Sequence, residues 1–124
     1  MEKKRILLVD DEASLTRMMR LNLERTGKYE VREENMGSRA VETARQFRPD
    51  LIFLDVMMPD TSGDEVAAQL QEDEELKNIK FVFLTAIVTK GETEPGGGEI
   101  AGRTFLAKPV KTEELLACIE RFVG

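Results

Sequence analysis

Five side chains able to do chemistry sit at the ends of short apolar runs. Asp10 and Asp11 follow Ile6 to Val9, Asp55 follows Leu51 to Leu54, Thr85 follows Phe81 to Leu84, and Lys108 follows Thr104 to Ala107. Singly, each has an ordinary explanation: Asp11 can cap a helix, Thr85 can end a strand, and Lys108 can be a solvated charge. Together they make a different case. If those runs are neighbouring strands, the three acids repel one another, and burying them requires protonation or a hard cation. A divalent ion held by Asp10, Asp11 and Asp55 resolves the repulsion. Oxygen-only ligands, few in number and with room for water, suit Mg²⁺ or Mn²⁺ better than zinc. With no His and the single Cys118, the chain offers no zinc cluster and no internal disulfide.

The elements that must position these groups are legible from periodicity. Arg5 to Asp10 reads as a strand buried on both faces and ending in acid. Ala13 to Arg25 carries Leu15, Met18, Met19 and Leu23 at helical spacing, with Asp11 or Glu12 at its start and Gly27 at its end. The cycle repeats with a strand over Tyr29 to Glu33 and a helix over Ser38 to Phe47, closed before Pro49. Leu51 to Leu54 gives a third strand, and Gly63 to about Asp73 a helix with Val66, Ala67 and Leu70 inward. Lys80 to Leu84 and Thr104 to Ala107 are strands, and Thr112 to Val123 is an amphipathic helix bearing Leu115, Leu116, Ile119 and Val123. Such alternation predicts an α/β doubly wound parallel sheet, because parallel strands need right-handed crossovers of this length. Ligands then bind beyond the carboxyl ends of the strands, where the five side chains lie.

One segment breaks the rhythm. A helix is due over residues 88–102, but Pro95 and Gly96, Gly97 and Gly98 intervene. Each interior Gly costs a helix about 1 kcal/mol and Pro about 3 kcal/mol, so a loop with at most a short turn is expected. The match of Gly96, Gly98 and Ala101 to a dinucleotide-binding pattern lies far from the preceding strand and opens no helix, which argues against a nucleotide site. The acidic run Glu72 to Glu75 reads as a solvated helix end.

The length of 124 residues, 41% of them apolar, fits one domain over residues 1–124. A net charge of −6 disfavours direct nucleic-acid or anionic-membrane partners. The opening apolar stretch is too short for a signal peptide or a span, so a cytoplasmic, reducing location is expected.

The strings Leu8-Val9-Asp10-Asp11-Glu12, Leu54-Asp55-Val56-Met57-Met58-Pro59, Thr85-Ala86 and Phe105-Leu106-Ala107-Lys108-Pro109, in that order along the whole chain, resemble the receiver domains of two-component response regulators, chemotaxis regulators among them. The resemblance implies a five-stranded flavodoxin-like sheet and an aspartyl-phosphate switch rather than an enzyme. By it, Asp55 is the phosphoacceptor, taking a phosphoryl group from a phosphohistidine of a sensor histidine kinase or phosphotransfer protein. Asp11 binds Mg²⁺ or Mn²⁺ directly, Asp10 at least through water, and the Met57 backbone carbonyl is a further ligand. Lys108 answers the negative charge, and Thr85 bonds a phosphoryl oxygen once one is present. Phe105 then turns inward, and the peptide bond before Pro109 is cis. Met57 and Ile87 flank the path of the hydrolytic water, and being apolar they imply a long-lived phosphoryl group.

The Gly-rich segment departs from the pattern, since it stands where this family places its fourth helix and its reporting face. The family's dimer is therefore not carried over, and the segment is expected either to order on phosphorylation or to stay a loop. The final helix runs to the chain's end at Gly124, so a stand-alone switch acting on a downstream protein is expected. Three other functions compete less well. A phosphatase with an aspartyl nucleophile wants Asp-x-Asp, where this chain has Asp55-Val56-Met57. A flavin carrier wants a phosphate loop where Asp10 and Asp11 would repel phosphate. A scaffold without phosphorylation has no need of all five side chains.

Overall fold

The computed structural model describes residues 3–86, 98–100 and 103–123. Strand β1 (Lys4–Val9) is followed by helix α1 (Ala13–Glu24), and β2 (Tyr29–Glu34) by a 3-10 turn over Gly37–Arg39 and helix α2 (Ala40–Phe47). Then come β3 (Leu51–Asp55), α3 (Gly63–Glu72), β4 (Lys80–Thr85), β5 (Gly98–Ile100), β6 (Arg103–Ala107) and α4 (Thr112–Val123). The strands form one sheet in the order β2-β1-β3-β4-β6-β5. Five of them, β2, β1, β3, β4 and β6, are parallel in the flavodoxin-like order, and β5 pairs antiparallel with β6 at the edge.

The β5 strand corrects, at residues 98–100, the expectation of a loop with at most a short turn over 88–102. Gly98, Glu99 and Ile100 face Phe105, Thr104 and Arg103 across a hairpin joined by two residues. The remainder of the expected loop, and with it Ile87, lies outside the described residues.

Alternation along the buried strands divides the core into two layers. Ile6, Leu8, Phe53, Val82, Leu84 and Leu106 point to the face covered by α1 and α4, where Met19, Leu23, Leu115, Cys118 and Ile119 meet them. Leu7, Val9, Ile52, Leu54 and Phe83 point to the other face, against Ala40, Ala44 and Phe47 of α2 and Val66, Ala67 and Leu70 of α3. Both layers are shut off from water, which is why these strands read as continuous apolar runs.

Helix ends follow local chemistry. Gly27 leaves α1 at φ +78°, a left-handed conformation that glycine adopts without steric cost. Helix α2 ends at Arg48 with φ 55°, where Pro49 cannot continue it. Its start is displaced from the expected Ser38: residues 37–39 form a tighter turn, at which a Cβ on Gly37 would run into Thr61 and Met58 and Asp60 accepts bonds from the Gly37 and Ser38 amides. At α1 the residue before the helix is Glu12, whose side chain makes no capping bond. At α3 the Ser62 hydroxyl accepts from the Glu65 amide, the usual N-cap contact.

Candidate metal and phosphoacceptor site

The chain runs from β1 outward to β2 and then crosses back to β3, so the crevice between the carboxyl ends of β1 and β3 is the point where strand order reverses. Val9 pairs with Leu54, which sets Asp10 beside Asp55 just past the last pair. Asp55 still belongs to the sheet through its pairing with Leu84, and Thr85 pairs with Ala107 in the next ladder. The Lys108 amide donates to the Thr85 carbonyl at 2.9 Å, extending that ladder by one step. The Lys108–Pro109 peptide bond is cis.

From there the Lys108 side chain crosses back over the strand ends. Its Nζ lies 2.7 Å from Asp10 Oδ2, 3.3 Å from Asp55 Oδ1 and 3.7 Å from Glu12 Oε1. Asp10 is fully buried and Asp55 nearly so, whereas Asp11 is exposed at the mouth. Oxygens of Asp10, Asp11 and Asp55 all lie within 4.8 Å of one another. Thr85 is buried at the end of β4.

One ammonium does not balance three clustered carboxylates. Burial and, next, the Asp10 charge push the Asp55 carboxyl up to about 6, against the pull of Lys108 and of the Met57 amide. Burial alone would lower the Lys108 ammonium, but its close contact with Asp10 and the charges of Asp10 and Asp55 outweigh it and hold it above its ordinary value. Among the described residues, Asp10 Oδ1 accepts from the Glu12 amide at 2.9 Å while Oδ2 receives no well-directed hydrogen bond. Its contact with Lys108 is therefore one of charge. A buried acceptor with a spare lone pair, facing two further carboxylates, suits a hard divalent cation with oxygen ligands.

The expected residues thus divide. Asp10, Asp11, Asp55 and Lys108 come together, and Thr85 stands at the adjacent strand end. Met57 is 69% exposed and forms a bridge with Ser62 across the β3–α3 loop. Phe105 is half-buried and stacked on Phe83, ring centroids 5.2 Å apart at 29°. Sequence reasoning passed over Glu12, the third carboxylate at the Lys108 ammonium, and Asn35, whose Nδ2 donates to the Asp10 carbonyl at 2.8 Å. Asn35 directly follows β2, the strand beside β1, so the same rule that singled out Asp10 could have found it.

Fold and site together define a doubly wound sheet with an acidic pocket at its switch point. The sequence matches the response regulator receiver domain over residues 6–120, and the chain belongs to that family of two-component signalling proteins. It is 32% identical over 124 residues to the polar-differentiation response regulator DivK of Brucella anthropi, covering 98% of this chain and 97% of that one. Its counterpart in Brucella ovis matches to the same extent. Among solved structures, the Vibrio cholerae chemotaxis protein CheY4 superposes with a TM-score of 0.82 at 26% identity, over 98% of this chain and 100% of that one. A Chloroflexus aurantiacus response regulator gives 0.81 at 26% identity, over 98% of each chain. Among the described residues no helix is long and apolar enough to cross a membrane.

Proposed function

We propose that the chain is a phosphoacceptor switch in which Asp55 takes a phosphoryl group from a phosphohistidine of a sensor histidine kinase or phosphotransfer protein. The observation that carries this reading is the Lys108 ammonium between Asp10 and Asp55 at the sheet's switch point. An Asp55 carboxylate oxygen forms the new bond to phosphorus while the P–N bond to the donor imidazole breaks, and its electron pair stays on that nitrogen. Asp55 must be ionised to attack, and a carboxyl at about 6 is mostly so at neutral pH. Asp10, Asp11, Asp55 and the Met57 carbonyl would hold Mg²⁺ or Mn²⁺. The ion supplies neutralisation of phosphoryl oxygen charge.

Lys108 is the protein's own counter-charge for the transferred group, already drawn to the acceptor before transfer. Thr85 offers its hydroxyl to a phosphoryl oxygen, and a consequent shift of its loop lets Phe105 leave its stacked position and changes the surface offered to a downstream protein. Met57 brings no polar group to orient water near the product, so the phosphoryl group is long-lived. The chain promotes its own phosphorylation and dephosphorylation without turning over a separate substrate. Family membership and the net charge of −6 favour a cytoplasmic protein partner over nucleic acid.

The test is intact mass after treatment with phosphoramidate and Mg²⁺, for wild type and Asp55→Asn. One added phosphoryl group that requires both metal and Asp55 supports the reading. No addition to a protein shown separately to bind Mg²⁺ would make it a receiver-fold scaffold instead.

A further inference from the structure

A chain of hydrogen bonds runs through the interior from α1 to the backbone of Asp10, and each of its protons can be assigned. Arg20 Nε donates to Glu33 Oε2 at 2.6 Å. Thr16, which is fully buried, has one hydroxyl proton; the 2.7 Å contact with Glu33 Oε1 is its best acceptor, with the Ala13 carbonyl further off at 3.1 Å. The Thr16 oxygen is then free to accept from Asn35 Nδ2 at 2.9 Å, and the second Nδ2 proton goes to the Asp10 carbonyl at 2.8 Å. Only the amide nitrogen can donate to a carbonyl, so the orientation of the Asn35 side chain is fixed by its partners.

We infer that Asn35, held by Thr16 and Glu33, is a positioning residue for the cation site. Asp10 is tethered at every other polar atom: its amide to the Glu34 carbonyl, Oδ1 to the Glu12 amide, and Oδ2 to Lys108. The carbonyl is the remaining handle, and its direction sets the plane of the peptide joining Asp10 to Asp11. Asp11 itself is exposed, so its own side chain lacks the packing that would fix it. The peptide plane behind it decides where its carboxylate stands relative to Asp10 and Asp55. Asn35 thus holds the backbone behind Asp11, and removing a group that orients a metal ligand in this way typically lowers metal affinity ten- to a hundred-fold. The Glu33 to Arg20 pair completes the chain, so that Thr16 donates outward and leaves its oxygen for Asn35.

The inference rests on the cation reading above, and the experiment separates the two. Mg²⁺ is titrated into wild type, Asn35→Ala, Thr16→Val, Thr16→Ser and Thr43→Ala, with affinity read from backbone amide shifts and folding checked by thermal unfolding. Thr43 is the control: from α2 its hydroxyl donates at 2.6 Å to Oε1 of Glu34, the residue before Asn35, and not to the Asp10 carbonyl. The expected result is a roughly tenfold weaker Mg²⁺ affinity in Asn35→Ala and Thr16→Val, recovery in Thr16→Ser, and no change in Thr43→Ala. Folded Asn35→Ala and Thr16→Val proteins that bind Mg²⁺ like wild type would overturn the positioning role. Affinity losses that simply track destabilisation, Thr43→Ala included, would overturn it equally. If wild type itself binds no Mg²⁺, the cation reading fails first and this one with it.

Discussion

Gly63 opens α3 with its amide bonded to the Val56 carbonyl at 2.8 Å, and it is pressed onto the end of β3. A Cβ there would stand 2.9 Å from the Val56 Cα and 3.1 Å from the Asp55 carbonyl carbon, and closer still to the Asp55 carbonyl oxygen. These are backbone atoms, so no rotamer change relieves the contact. Restoring ordinary carbon–carbon separation needs a displacement of roughly 0.6 Å between α3 and β3. Overpacking by one methyl typically costs about 1–3 kcal/mol, and a rigid neighbour places this case at the upper end. Against this, Ala normally favours a helix over Gly by up to about 1 kcal/mol. The net for Gly63→Ala is a loss of about 2–3 kcal/mol, which in a domain of this size lowers Tm by roughly 10 °C. Gly27→Ala is the comparator: nothing lies within 4 Å, and only the φ of +78° opposes it, at a cost of about 1–2 kcal/mol. Calorimetric melting of the three proteins decides the matter. A Gly63→Ala protein as stable as wild type would refute the claim that α3 is seated directly on the Asp55 backbone.

Other consequences can be measured as readily. Because the folded-state Asp55 carboxyl lies at about 6 against an ordinary 3.8, the native state binds more protons than the unfolded chain between these values. Without divalent ions, stability should therefore fall as pH rises through that window, and Asp55→Asn should melt higher than wild type at pH 7.5 while losing the pH dependence. Phe83→Ala removes a buried ring packed against Phe81 and Phe105; urea unfolding should show a loss of about 3–5 kcal/mol. Burial pushes the Cys118 thiol up to about 12, so a disulfide reagent at pH 8 should label it only after unfolding. The phosphoryl lifetime, followed by mass, should shorten when Met57→Asn is combined with Ile87→Glu; an unchanged rate means that the residue types there do not govern water.

How far the sequence could be read depended on whether a signal was local. The buried strands announced themselves as apolar runs, and Asp10, Asp55 and Lys108 were placed because each directly follows such a run. The convergence of Lys108 on both acids follows from strand order, which only the alternation of strands and helices implies. What escaped was set by distant partners. Gly98, Glu99 and Ile100 carry no strand periodicity of their own; they pair because a two-residue connection returns them alongside β6. The turn that begins before α2 is bonded by Asp60 and leaves no room for a Cβ at Gly37 beside Thr61 and Met58, all twenty or so residues on. Asn35 stands at the carboxyl end of β2, a position strand-end reasoning can reach, but its partner, the Asp10 carbonyl at the end of the neighbouring strand, is marked by no pattern in the sequence.

The added edge strand has a mechanical consequence for signalling. With β4 on one side and β5 on the other, β6 is an interior strand, bonded along both flanks. Sliding or peeling it to transmit an event at Asp55 would rupture two ladders at once. Rotation about the Phe105 side-chain bonds ruptures none. On the switch proposed above, this arrangement favours a swivel over a sliding bolt, with the Phe105 ring turning on a strand that stays where it is.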